Sequence, residues 1–217
     1  MPALLPLVEQ PNLGYDTETN WDHPRNRSAV RTRLAILCCP SSPSQVRVDS
    51  SIPDLLPAAG DYAPTHGVNA KDCRLMGWPI YDPPDENGIL TQTACRSTEV
   101  TDGLTQTLLL IEDAGRPELW KMGRRIFGVA GNPAWADPDY ELALDGSDRL
   151  PTGSGQAAGP CVMNCTNDNE AFSFHPGGCI LLFADGGVRF VSERVSNAIF
   201  AAFTTRASGD FVPEEAH

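Results

Sequence analysis

The chain is short of positive charge. Its 217 residues carry 16 Lys and Arg against 28 Asp and Glu, a formal net charge of −12. That balance excludes nucleic acid as a partner, because a phosphate binder needs a concentrated basic face. It also disfavours an anionic membrane surface. Long apolar runs are missing: none approaches the ~20 residues that span a bilayer, so no membrane insertion is expected of this chain. Residues 1–8, Met-Pro-Ala-Leu-Leu-Pro-Leu-Val, have no basic start and are too short for a secretory signal. No Cys-x2-Cys pair occurs, which removes the strongest zinc signature. No Ser-x-x-Lys occurs, and Ser154 lacks a nucleophile elbow because Thr152 stands where the first glycine would be. A serine triad would have to recruit one of only four histidines, His23, His66, His175 or His217. A flexible Gly/Ser loop is the better reading of Ser154. Internal repeats and low-complexity tracts are absent.

What remains is globular composition, 41% hydrophobic and 20% charged. The length suits a single soluble domain over residues 1–217, with a core that needs no staples. Gly and Pro, 19 of each, punctuate the chain too densely for a helical bundle. They suit short strands joined by long loops. Seven cysteines (38, 39, 73, 95, 161, 165 and 179) read as an oxidising compartment with some disulfides, or as buried free thiols. The odd count leaves at least one thiol unpaired in a monomer.

Along the chain, Arg25 to Leu34 predicts a short helix leading into the apolar run Leu34 to Cys39, which Pro40 to Ser44 breaks. Residues 51–90 read as irregular loop with at most short strands. Residues 105–112 predict a strand whose Leu108 to Ile111 run has both faces covered. Residues 179–184 predict a buried strand, Asp185-Gly186 a two-residue turn with positive φ at both positions, and 187–191 the returning strand, with Val188 and Phe190 on one face. Ser192 is placed to cap a helix over 193–206 whose Val195, Ile199, Ala202 and Phe203 share a face. The fold expected is α+β: an antiparallel sheet of 105–112, 179–184 and 187–191, with the C-terminal helix packed on it.

His175 and Asp185-Gly186 are separated by nine residues. This resembles the signature of the prepilin-type H-X9-DG domain family, bacterial proteins of unassigned role once catalogued as solute-binding-like. Further segments carry the resemblance: Leu4 to Gln10, the Cys-Pro-Ser step at 37–41, Asp61-Tyr62-Ala63, Thr101 to Thr107, Gly159 to Asn167 and Phe183 to Phe190. Members usually begin with a prepilin signal and a pilin-like helix, so the chain looks like the soluble head alone. The resemblance implies a pilin-head-like, extracytoplasmic structural or interaction domain of a pilin- or pseudopilin-like protein. Its partners would be proteins or extracellular material, in the periplasm or at the cell surface. It supplies no catalytic residues.

A His175–Asp185 dyad is opposed by geometry: the intervening strand rises roughly 17 Å at ~3.4 Å per residue. His175 is expected to anchor its loop and Asp185 to brace the hairpin through its own backbone. The alternative is a hydrolase with a loop-built site near His175, and a third possibility is capture of a small solute in an apolar cleft. Asn164, Asn167, Asp168, Asn169 and Glu170 form an oxygen-rich loop that suits Ca2+, with Asn167, Asp168 and Glu170 the candidate ligands. A second acidic loop holds Asp137, Asp139, Glu141, Asp145 and Asp148. Cys161 and Cys165 could ligate zinc with a distant histidine. Cysteine density and the family's extracytoplasmic habit make a Cys161–Cys165 disulfide the expected pairing. Trp21, Trp78, Trp120 and Trp135 could stack on a sugar or plug small cores.

Overall fold

The computed structural model describes residues 1–69, 71, 74, 86–91, 93–149 and 159–209. Cys73, Trp78 and Ser154 lie outside these. The regular elements are α1 (Arg27–Val30), β1 (Tyr62–Val68), β2 (Leu108–Glu112), β3 (Glu118–Lys121), β4 (Arg124–Val129), β5 (Leu142–Leu144), β6 (Gly178–Phe183), β7 (Val188–Ser192) and α2 (Asn197–Thr204). One sheet has the spatial order β5-β1-β2-β6-β7, and β3 and β4 form a separate hairpin. This is the loop-rich α+β class expected. Among the described residues no helix is long and apolar enough to cross a membrane.

The hydrophobic pattern of β6 decides which face is the core. Cys179, Leu181 and Phe183 alternate along the strand and are fully buried. α2 covers that face, its Phe203 ring standing edge-on to Phe183 with centroids 5.4 Å apart. A second apolar cluster gathers Leu5, Val30, Leu34, Leu55 and Trp135.

Three expectations are corrected. Residues 51–90 hold β1, a seven-residue strand inside the main sheet. Pro64 and Gly67 disguise it, since both disfavour an interior strand. The strand keeps its place by a register irregularity between Thr65 and Gly67. The three strands expected to pair, β2, β6 and β7, are antiparallel as expected, and a parallel β1–β5 pair at the other edge makes the whole sheet mixed. The Leu108 to Ile111 run of β2 is covered as expected: Leu108 and Ile111 are buried, and Leu109 and Leu110 half-buried. The hairpin after β6 has positive φ at Gly186 alone, +83°. The Phe183 carbonyl accepts from Gly186 and the Phe183 N–H donates to Gly187. That is a turn closed by a left-handed glycine, which spares Asp185 a conformation unfavourable to a residue with a Cβ. Finally, Ser196, not Ser192, caps α2 by accepting from the Ile199 N–H at 3.2 Å. Ser192 takes the Arg194 N–H in a local turn instead.

The loops are tied to the sheet by one buried carboxylate. Asp61 Oδ2 accepts from the Cys39 N–H at 2.8 Å and the Ser42 hydroxyl at 3.1 Å. Its Oδ1 accepts from Arg47 Nη2 at 2.6 Å and the Gly115 N–H at 2.9 Å. Its main chain adds two bonds, donating to Leu37 and accepting from Asp113. Arg47 is itself buried and also donates to the Arg116 carbonyl. Removing the carboxylate strands a buried guanidinium and two N–H groups. Asp61→Ala should therefore cost about 3–5 kcal/mol, the range for breaking a buried pair. Urea denaturation measures this, and a loss below about 1 kcal/mol would contradict it.

Candidate functional site

Two of the segments that carried the family resemblance, 37–41 and 61–63, meet the signature His175 at one place. Tyr62 opens β1 and Glu112 closes β2, and they are direct cross-strand partners, so their side chains share a face. The turn at residues 37–41, held by Asp61, delivers Cys39. The loop before β6 delivers His175. That loop is built by Ser173, whose Oγ accepts from the His175 N–H at 2.9 Å and donates to the Gly178 carbonyl at 2.8 Å. Gly178 allows the close pass against β7, because a Cβ there would run into the Val191 carbonyl oxygen.

The three side chains converge. His175 Nε2 lies 3.5 Å from Cys39 Sγ and 3.5 Å from Glu112 Oε1. On the other side of the ring, Nδ1 is 3.5 Å from Ser41 Oγ. Cys39 and Glu112 are fully buried, while the His175 side chain is 29% exposed. Glu112 Oε2 accepts from the Ile180 N–H at 3.1 Å, whereas Oε1 is buried with no hydrogen-bond donor. Burial, then the neighbouring Glu112 carboxylate, push the Cys39 thiol up to about 11. Burial raises Glu112 as well, and raises Tyr62, with the charges of Cys39 and Glu112 adding to it. Among the described residues, this is the one group of three His, Cys, Asp or Glu side chains able to offer ligand atoms within 4.8 Å of one another. A cleft of about 390 Å³ opens beside it, lined by His175, Phe174, Gly177, Asn164 and Glu193.

Asp185 is elsewhere. It sits past the far end of β6, accepting from the Gly187 N–H at 2.7 Å and pairing with Arg189 at 2.9 Å. The His175 side chain reaches the 37–41 turn rather than its own loop's backbone, which corrects its expected role.

In the oxygen-rich loop, Asn167 and Asp168 make structural bonds. Asn167 accepts from the Trp120 N–H and donates to the Ala114 and Glu118 carbonyls. Asp168 accepts from the Gly131 N–H. Glu170 turns into the interior. In the second acidic loop, Asp137 takes the Asp139 N–H, Glu141 pairs with His66, and Asp148 with buried Lys121. Cys161 and Cys165 are joined, their Cα atoms 6.3 Å apart, within the usual span of a disulfide. Trp135 is a fully buried plug donating to the Thr32 carbonyl, and Trp120 stacks edge-on against Phe174. Trp21 packs on the second apolar cluster.

Sequence reasoning missed the triad because its members are far apart in the chain. Cys39 stood only inside a resembling segment, and Glu112 only as the end of a strand. The available signal was chemical: a carboxylate closing an otherwise apolar strand must find a buried partner.

A family model matches residues 1–197, described as SBP_bac_10, protein of unknown function (DUF1559). The chain belongs to this bacterial family. No curated protein and no solved structure matches it. The DUF1559 match spans all three converging segments, so Cys39, Glu112 and His175 all lie within the family domain.

Glu170 generates a pH prediction. Burial, then the hydrogen bond and charge of Asp145, hold it well above the usual carboxylate range. A raised folded value means stability is fully present below the unfolded pKa of about 4.3 and is lost as pH rises through the folded value. Glu170→Gln, neutral at every pH, should lack that loss. Its melting temperature relative to the parent should climb from about pH 5 to about pH 8. Parallel curves would contradict this.

Proposed function

We propose that this DUF1559 chain is a non-catalytic structural or interaction domain, the head of a pilin- or pseudopilin-like protein working outside the cytoplasm. The observation that carries the reading is the use of the two signature ends. His175 clips the 37–41 turn against the sheet, and Asp185 braces the β6–β7 hairpin. Neither is arranged for turnover. A nucleophile–base–carboxylate relay uses the two nitrogens of the imidazole for different partners. Here the thiol and the carboxylate face the same nitrogen. A thiol held up to about 11 is also protonated at neutral pH and a poor nucleophile.

Two features support the rest of the reading. A disulfide persists in oxidising compartments outside the cytoplasm. Fully exposed Phe127 and exposed Val129 stand two apart on β4, on one face of the hairpin, where they suit an interaction role. The cleft beside His175 is the feature that favours the hydrolase alternative.

The experiment is a turnover assay with chromogenic esters, phosphate monoesters and casein, on the parent and His175→Ala. The expected result is no turnover above heat-denatured protein, with His175→Ala melting lower than the parent. Turnover in the parent that disappears in a folded His175→Ala protein would overturn the proposal and establish the hydrolase.

A further inference from the structure

We propose that Cys39 Sγ, Glu112 Oε1 and His175 Nε2 bind one zinc-class divalent ion, which fastens the 37–41 turn, the end of β2 and the loop before β6 at a single point. The donor spacing is the first reason. Tetrahedral zinc with bonds of about 2.0–2.3 Å sets its ligand atoms about 3.3–3.8 Å apart. His175 Nε2 stands 3.5 Å from each of the other two donors, and all three atoms lie within 4.8 Å of one another.

The second reason is that hydrogen bonding alone leaves the cluster unsatisfied. A sound N–H···O bond spans about 2.7–3.2 Å, and an N–H shared between two acceptors bonds each of them less well. Glu112 Oε1 is fully buried, has no donor, and is aimed at this centre. A buried carboxylate oxygen left so is costly, and a cation between the three groups supplies what it lacks.

The third reason is orientation. Ser41 Oγ lies beside Nδ1, so a proton on Nδ1 leaves the Nε2 lone pair facing inward. Asp61 fixes the Cys39 main chain and Ile180 holds the second Glu112 oxygen. Outer partners of this kind orient metal ligands.

Charge and softness identify the ion. A thiolate, a carboxylate and a neutral imidazole cancel a 2+ charge, which suits a buried site. Sulfur and nitrogen donors select zinc or cobalt over calcium, which takes oxygen ligands. On binding, the thiol proton, and any proton on Glu112, passes to solvent as the metal–sulfur bond forms; no electron moves.

The test uses the full chain, freed of metal by a chelator without a reductant that would open Cys161–Cys165. It is titrated with cobalt(II) chloride, then with zinc chloride. The expected result is a thiolate-to-cobalt charge-transfer band that saturates at one equivalent and is erased by zinc. Cys39→Ser should lack the band. Should Cys39→Ser fail to fold, His175→Gln, altered at the partly exposed ligand, carries the test and should bind cobalt at least about tenfold more weakly. No charge-transfer band, an undiminished band in Cys39→Ser, or unchanged affinity in folded His175→Gln would overturn the proposal.

Discussion

A carboxylate sealed from water must be fully bonded or not charged, and Asp61 meets that demand by drawing on three distant parts of the chain. The 37–42 turn gives the Cys39 N–H and the Ser42 hydroxyl, Arg47 gives its guanidinium, and the turn after β2 gives the Gly115 N–H. The desolvation cost of Asp61 and Arg47 is offset only when all of these donors arrive together. Their arrival brings residues 37–42 onto the sheet as one unit.

The convergence of Cys39, Glu112 and His175 follows from that constraint. Asp61 immediately precedes Tyr62, and Tyr62 is registered opposite Glu112. A turn bonded to Asp61 therefore lies over the end of β2, where Glu112 projects. The loop before β6 approaches from the other side because Glu112 itself takes the Ile180 N–H. The site is thus a consequence of satisfying buried polar groups, and its chemistry is set by which side chains those bonds carry along.

The sequence was most legible where one local signal sufficed. The continuous apolar run of residues 179–184 marked β6, and Asp185-Gly186 marked the hairpin. The apolar recurrence through Phe203 marked α2. It was misleading where tertiary bonds overrode local preference. Pro64 and Gly67 spoke against a strand that neighbours on both sides enforce. Ser192 is a good cap on paper, but the helix starts at Asn197 and Ser196 caps it. The triad was illegible because no spacing rule links residues 39, 112 and 175. Only register and the bonds of Asp61 bring them together.

Native-state hydrogen exchange tests the central role of Asp61 most directly. The Cys39 and Gly115 amides bond to different oxygens of one carboxylate and lie far apart in the chain. If Asp61 couples the turn to the sheet, the two amides should open together, with one free energy close to global unfolding and one urea dependence. Exchange of the Cys39 amide through a separate, low-energy local opening while Gly115 stays protected would contradict the account.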